Sequence, residues 1–164
     1  SETKTDNISQ SAQPYLQRTV TSMRAELRKE QQSIQYRVRC EAISVDFEQR
    51  QAHEYGLLSF LELRYSPFQW FRCTGRMTYF STDSYSSAIW AMEPNVQGIL
   101  TSSVLYGQGM RYMAMAQCIV PPSLTFTLRY VSDIRNTIAT VSEGENIVED
   151  YGQSRLHLQI DIGL

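Results

Sequence analysis

The residues of this chain whose types could support catalysis are few and widely separated. His53 lies in a charged segment, and His157 lies on the polar side of an alternating segment. Asp83-Ser84 and His157 have the residue types of a hydrolase, but Ser84 lacks the glycine-flanked elbow that exposes a nucleophilic serine. We therefore interpret both histidines as solvated or lumen-lining side chains and predict that the protein is not an enzyme.

The sequence also gives little support for a phosphate-binding or metal-binding site. Gly107-Gln108-Gly109 is not followed by a helical pattern, so it predicts a turn and not a phosphate-binding loop. The chain's acidic cluster consists of Glu143, Glu145, Glu149 and Asp150. Its spacing matches no EF-hand and is typical of a solvated loop. We predict no cofactor and no metal site.

The three cysteines are Cys40, Cys73 and Cys118. Their odd number and wide spacing fit neither a disulfide framework nor a zinc site. Each falls on the apolar side of an alternating segment, so we interpret them as small hydrophobic side chains.

A larger set of charged residues repeats with a period of two. In Ser123–Asp133, Leu124, Phe126, Leu128 and Tyr130 alternate with Thr125, Thr127 and Arg129. This period is typical of a β-strand with one apolar and one polar face. The residues of the predicted charged face are Arg24, Glu26, Arg37, Arg39, Glu41, Glu62, Arg64, Arg72, Arg76, Arg111, Arg129, Arg155 and Asp161.

The same alternation predicts an all-β, antiparallel, up-and-down architecture of seven long strands, or nine with an additional hairpin. The predicted strands are Gln17–Leu27, Ser33–Phe47, Gly56–Tyr65, Phe68–Phe80, Met110–Val120, Ser123–Asp133 and Ser154–Leu164, with the hairpin from Ile89–Met92 and Ile99–Tyr106. A helix competes for Met23–Gln32, which is rich in helix formers. We expect residues 1–15 to form a flexible polar segment and residues 16–164 to form one β-barrel domain.

Alternation leaves two interpretations open. In a soluble barrel or sandwich acting as a binding module, the Leu/Ile/Phe face encloses the core and the charged face meets water. In a transmembrane barrel, the apolar face meets lipid and the charged face lines the lumen. In that case the lipid-facing residues would be Ile34, Val38, Leu61, Leu63, Met77, Phe126, Leu128, Leu158 and Ile160.

Strand length, loop length and aromatic placement favour the membrane interpretation. Most of the predicted strands are roughly 10–13 residues long, near the 9–11 that cross a tilted bilayer and longer than most soluble strands. Short turns (Arg28–Gln32, Ser66–Phe68, Pro121–Ser123) alternate with long loops (Glu48–Tyr55, Ser81–Gln108, Ile134–Gln153), as in barrels with short periplasmic turns and long extracellular loops. Aromatic residues such as Tyr65, Trp70 and Tyr79 lie near strand ends, where interfacial girdles form.

If the short turns face the periplasm and the long loops face the outside, the first strand begins outside the cell. The predicted number of strands is also odd. Bacterial single-chain barrels usually have even strand numbers. We therefore expect the chain to be the C-terminal part of a larger barrel, completed by upstream sequence or by another chain.

Two stretches also resemble a known family. Thr82–Glu93 (TDSYSSAIWAME) and Tyr106–Tyr112 (YGQGMRY) resemble a C-terminal pattern of large Bacteroidota outer-membrane β-barrel proteins, often described as helix-hairpin-helix domain-containing. That pattern reads TDSYDSRIYAYEN and then YGxGxRY, and Ala88, Trp90 and Met92 are among the residues that depart from it. The resemblance covers residues 57–164 and implies an outer-membrane barrel without an established activity. Leu164 also stands where such barrels often end in an aromatic residue.

Composition agrees with this assignment and excludes other classes. The net charge of −2 provides no basic surface for nucleic acid, and the longest apolar runs are too short for a transmembrane helix. The expected partners are membrane lipid and the missing barrel strands. The expected function is an outer-membrane component with a structural, transport or envelope-assembly role and an Arg/Glu-lined lumen.

Overall fold

The structure is a computed structural model that describes residues 18–47, 52–99, 102–121, 123–139 and 147–163. The predicted polar segment 1–15 lies outside these residues, as do Glu143 and Glu145. The strands are β1 (Arg18–Gln31), β2 (Ile34–Phe47), β3 (Ala52–Phe68), β4 (Phe71–Thr82), β5 (Ile89–Met92), β6 (Ser102–Leu105), β7 (Gln108–Val120), β8 (Leu124–Ala139) and β9 (Ile147–Ile162). The described residues contain no helix long and apolar enough to span a membrane.

Seven strands form one antiparallel sheet in the order β1-β2-β3-β4-β7-β8-β9. Between β4 and β7 the chain leaves the sheet and forms the separate two-stranded hairpin β5–β6. The predicted all-β, up-and-down antiparallel arrangement is therefore confirmed. The described strands form an open sheet, in which β1 and β9 are the two edges and do not pair with each other.

Several strands are longer than predicted, and two predicted loops are correspondingly shorter. The predicted loop Glu48–Tyr55 is wrong in its second half, because β3 begins at Ala52 and pairs with β2 from there. Similarly, the predicted loop Ile134–Gln153 is wrong at both of its ends, because the pairing of β8 with β9 reaches Ala139 and Ile147. Antiparallel pairing thus continues beyond the clear alternation, through residues that the sequence does not mark as strand.

The predicted turn at Ser66-Pro67 is also displaced. Strand β3 runs through Pro67 to Phe68, and the turn lies at residues 69–70. The register shifts between Tyr65 and Phe68, so Pro67 occupies an irregularity in the ladder, one of the places where a sheet accepts proline.

An ordinary soluble sheet buries its apolar face and exposes its charged face, whereas this sheet does the reverse. On the charged face, Arg76 and Arg129 are almost fully buried, whereas Leu61 and Leu158 on the apolar face are 55% and 69% exposed. The cover on the charged face is the hairpin β5–β6 and the segments that flank it. Its residues Ile89, Ala91 and Leu105 form a core cluster with Leu58, Phe60 and Phe80 of the sheet.

Close backbone contacts require glycine at two positions on this covered face. A Cβ atom on Gly56 would lie 2.5 Å from the carbonyl oxygen of Ser87, in the segment that leads into β5. A Cβ atom on Gly109 would lie 2.5 Å from the carbonyl oxygen of Ile134 on the neighbouring strand. A larger residue at either position would push the backbones apart.

Candidate functional site

The sheet register brings the charged residues together in rows across the strands. Glu26 lies opposite Arg39, Glu62 lies opposite both Arg37 and Arg76, and Arg111 lies opposite Asp133. Since directly opposed residues share a face, all thirteen residues of the predicted charged face lie on one side of the sheet.

The first buried ion pair joins β3 and β4. Arg76 Nε donates to Glu62 Oε2 at 2.8 Å, and its Nη1 donates to the carbonyl oxygen of Met92 at 2.6 Å. The guanidinium also lies over the ring of Phe60, 4.3 Å from its centroid. Arg76 is therefore held by a carboxylate, a carbonyl and an aromatic face at once, and one of these comes from the hairpin strand β5.

The second buried cluster is centred on Glu93, which directly follows β5. Its Oε2 accepts from Arg111 Nη2 and from Arg129 Nη2, both at 3.0 Å. Arg111 Nε lies 2.6 Å from Glu93 Oε1, although its N–H is not directed at that oxygen. Arg111 Nη1 also donates to Asp133, at 2.9 Å to each carboxylate oxygen. Arg129 Nε donates to the carbonyl oxygen of Pro94 at 3.0 Å.

A third group of ion pairs lies at the β1–β2 edge and is more exposed than the first two, although the side chain of Glu41 is only 7% exposed. Glu26 accepts from Arg37 and Arg39, each at 2.7 Å, and Arg24 donates to Glu41 at 2.8 and 2.9 Å. The side chain of Glu26 is 30% exposed, whereas that of Glu93 is 1% exposed. One carboxylate thus bridges two arginines in both places, once near water and once almost completely buried.

The remaining residues of the predicted charged face carry no ion pair among the described residues. These are Arg64, Arg72, Arg155 and Asp161. Arg64 Nε and Asp161 Oδ2 are buried without a hydrogen-bond partner in the described part of the chain. Arg155 donates to the side-chain oxygen of Gln153 at 2.8 Å.

All nine residues of the predicted lipid-facing set are exposed in the structure. They are Ile34, Val38, Leu61, Leu63, Met77, Phe126, Leu128, Leu158 and Ile160. They therefore lie on a face of the sheet that is exposed in the structure. The register puts the three cysteines on the same side, where Cys40 is exposed and the other two are partly buried.

A cavity of about 320 Å³ lies between the hairpin and the sheet. Its charged lining residues are Arg111, Arg129, Asp133, Arg135 and Arg155, joined by His157. Ser102, Ser103 and Val104 of β6 line the hairpin side. Five charged side chains of the described residues therefore converge on a space large enough for a small ligand.

The candidate catalytic residues are not brought together. Ser84 donates its hydroxyl to the carboxylate of Glu54, and Asp83 accepts from the backbone N–H of Tyr55 at 2.7 Å. His157 lines the cavity, which neither Asp83 nor Ser84 reaches, and His53 lies 2.5 Å from Asp46 at an exposed position. Among the described residues, no group of His, Cys, Asp and Glu side chains has the arrangement of a metal site.

Sequence reasoning missed Glu93 and Asp133, the two carboxylates that pair with Arg111. Asp133 carried a usable signal, because it continues the polar spacing of Thr127 and Arg129 along β8. Glu93 carried none, since it lies after a short strand in a weakly patterned segment.

A comparison with known proteins adds no assignment to this geometry. No protein-family model matches the chain, and no curated protein or solved structure matches it significantly.

Proposed function

We propose that this chain is a component of an outer-membrane β-barrel, with its apolar face toward lipid and its charged face toward the lumen. The observation that carries the proposal is the reversed burial of the two faces. Arg76, Arg111 and Arg129 are buried, whereas Leu61, Leu128 and Leu158 are exposed. Membrane barrels have this arrangement, because lipid solvates the outside and polar side chains fill the inside.

The extent of the exposed apolar face supports lipid as its solvent. Leu27, Val38, Leu61, Met77 and Tyr112 form one row across five adjacent strands, and each is exposed. Monomeric soluble proteins rarely expose a contiguous apolar surface of this kind. The soluble alternative requires a second layer to enclose a core on this face, and the described residues supply none.

The position of the hairpin bears on the role of such a barrel. The hairpin β5–β6 lies against the charged face and is tied to it through Met92, Glu93 and Pro94. A barrel built on this sheet would have an interior partly filled by its own chain, as in plugged membrane barrels. This favours a structural, envelope-assembly or gated transport role over a wide open pore.

The two sheet edges define the partner that the proposal requires. Among the described strands, β1 pairs only with β2, and β9 pairs only with β8. In lipid, every unpaired backbone N–H or C=O group costs several kcal/mol. We propose that further strands, from a longer chain or from a partner chain, pair with both edges.

The proposal is tested by placing arginine at two adjacent positions of β9. Leu158 lies on the apolar face opposite Leu128, and Gln159 lies on the charged face beside Asp161, 2.6 Å from its Oδ1. Leu158→Arg should reduce insertion into phosphatidylcholine vesicles by about 2–4 kcal/mol, the cost of arginine at the bilayer midplane. Gln159→Arg, which can pair with Asp161, should insert almost as well as the unchanged chain.

Insertion is measured as the fraction of purified chain that becomes protected from added protease in vesicles. If the protein is soluble, the chain stays in the aqueous phase and neither variant becomes protected by the vesicles. Equal behaviour of the two variants, or a chain that stays in the aqueous phase fully folded, would contradict the membrane assignment.

A further inference from the structure

We infer that the cavity between β6 and the charged face is a binding site for a small oxyanion, a molecule that presents phosphate, sulfate or carboxylate oxygens. The inference concerns the covered face alone. It therefore does not depend on whether lipid meets the opposite face.

The charge balance around the cavity is positive. Arg111, Arg129, Arg135 and Arg155 line it, and the carboxylates that face them are Asp133, in the lining, and Glu93, immediately beside it. Both carboxylates are already paired with Arg111 or Arg129. The other two arginines therefore contribute positive charge that the described residues do not neutralise.

Arg135 and Arg155 are also positioned to donate to a ligand. The guanidinium of Arg135 lies over the rings of Phe80 and Tyr106, 5.7 and 5.0 Å from their centroids, and these contacts orient it. Its N–H groups have no acceptor among the described residues. Arg155 has one neutral partner, the side-chain oxygen of Gln153. A guanidinium presents five N–H donors in a planar fork that suits the paired oxygens of phosphate, sulfate and carboxylate groups.

The buried pairs give the site a rigid base. Arg111 and Arg129 are each held by Glu93 and by a second acceptor, so their positive charges stay in place at the cavity wall. Ser102 and Ser103 line the opposite wall, and Ser103 Oγ already accepts from Arg111 Nη2 at 3.1 Å. The hydroxyl of Ser103 also donates to Glu93 Oε2 at 3.5 Å, so the hydroxyl of Ser102 is the one that remains as a donor for an oxyanion.

The size of the cavity limits the ligand to a small molecule. A volume of about 320 Å³ is at the lower end of the range for ligand pockets. This volume suits a single anionic group with a small body.

The test is calorimetric titration of the purified chain, in detergent at about 0.15 M ionic strength, with inorganic phosphate, sulfate and succinate as separate probes. We expect saturable binding of one equivalent of at least one probe, and the three titrations distinguish tetrahedral anions from carboxylates. Arg155→Gln should weaken that binding by about tenfold or more, the effect of losing a charged hydrogen bond. Arg135→Gln should do the same.

The matched control is Arg72→Gln. Arg72 is an exposed arginine on the same face, but it lies outside the cavity. Its replacement should leave the affinity unchanged. Because Arg155 is exposed, its variant should fold normally and decides the result even if Arg135→Gln does not fold. The inference is overturned if no probe shows saturable binding, or if Arg72→Gln weakens binding as much as Arg155→Gln.

Discussion

Replacement of Glu93 by glutamine tests whether the buried charge cluster holds the hairpin on the sheet. Glutamine keeps the shape of the side chain and removes its charge. The carboxylate that accepts from Arg111 and Arg129 is then lost, while both arginines stay buried.

The expected loss of stability depends on which hydrogen-bond partners Arg111 and Arg129 retain. Removal of one partner from a buried ion pair typically costs about 3–5 kcal/mol, because the remaining charge is left uncompensated. Arg111 retains Asp133 at 2.9 Å, whereas Arg129 retains only the carbonyl oxygen of Pro94. We therefore expect Glu93→Gln to lower the free energy of unfolding by about 3 kcal/mol, the lower end of that range.

Glu26→Gln is the matched control, because Glu26 also bridges two arginines, Arg37 and Arg39, but at the exposed edge. Exposed ion pairs contribute about 0.2–1 kcal/mol each, since water screens them. The control should therefore lower the free energy of unfolding by no more than about 1–2 kcal/mol.

Both variants are measured by urea unfolding in detergent, with two signals recorded in parallel. Far-ultraviolet circular dichroism follows the seven-stranded sheet, and the fluorescence of Trp90 on β5 follows the hairpin, with Trp70 replaced by phenylalanine in every protein compared. If Glu93→Gln costs no more than Glu26→Gln by both signals, the buried cluster does not hold the hairpin and the reasoning is refuted.

Three further predictions follow from local contacts, and urea unfolding measures the first two. Gly109→Ala should destabilise the protein by about 1–3 kcal/mol through overpacking, whereas Gly75→Ala, which has open space around it, should be neutral; equal midpoints would contradict this. Phe60→Leu should cost about 1–3 kcal/mol, since it removes a buried ring with Arg76 stacked on it, and Phe68→Leu, at an exposed ring, should cost less than half as much. Cys40, exposed on the apolar face, should react with a charged maleimide at least tenfold more slowly in vesicles than in urea; similar rates would show that water reaches this face.

The existence of the strands and the sorting of residues onto two faces were predictable from the sequence. In β8, the apolar residues Phe126 and Leu128 alternate with Thr127 and Arg129 over a short stretch, and this local order determines which side each one faces. The predicted additional hairpin was also confirmed, although its second strand is shorter than Ile99–Tyr106 and begins at Ser102.

The ends of the strands were harder to predict, because the partner strand determines how far pairing continues. Pro67 is a typical turn residue, yet the N–H of Ser66 donates to the carbonyl oxygen of Ser33 at 2.7 Å, and Phe68 still pairs with Phe71. Neither contact is visible in the local composition around Pro67.

The side on which the hairpin packs was not predictable, although one signal for it was present. Leu58, Phe60, Met113 and Met115 interrupt the charged face, and an apolar residue there needs an apolar cover. Ile89 and Ala91, spaced by two on β5, provide part of it. Glu93 could not be assigned in this way, because its partners Arg111 and Arg129 lie 18 and 36 residues away and meet only when β7 pairs with β8.

The ion pairs also explain why neighbouring strands of this sheet pair in one register and not in another. A slip by two residues leaves apolar side chains on the apolar face, so that face alone discriminates poorly between registers. On the charged face such a slip separates carboxylates from arginines that are direct partners across the strands. These partners are Arg24 and Glu41, Glu26 and Arg39, Arg37 and Glu62, Glu62 and Arg76, and Arg111 and Asp133. Of these pairs, Glu62–Arg76 and Arg111–Asp133 are buried, and buried charges without partners are far more costly than shifted apolar contacts. The exposed pairs add a smaller preference for the same alignment. The charged face therefore specifies the pairing of the strands, while the apolar face contributes a surface that the proposed bilayer covers.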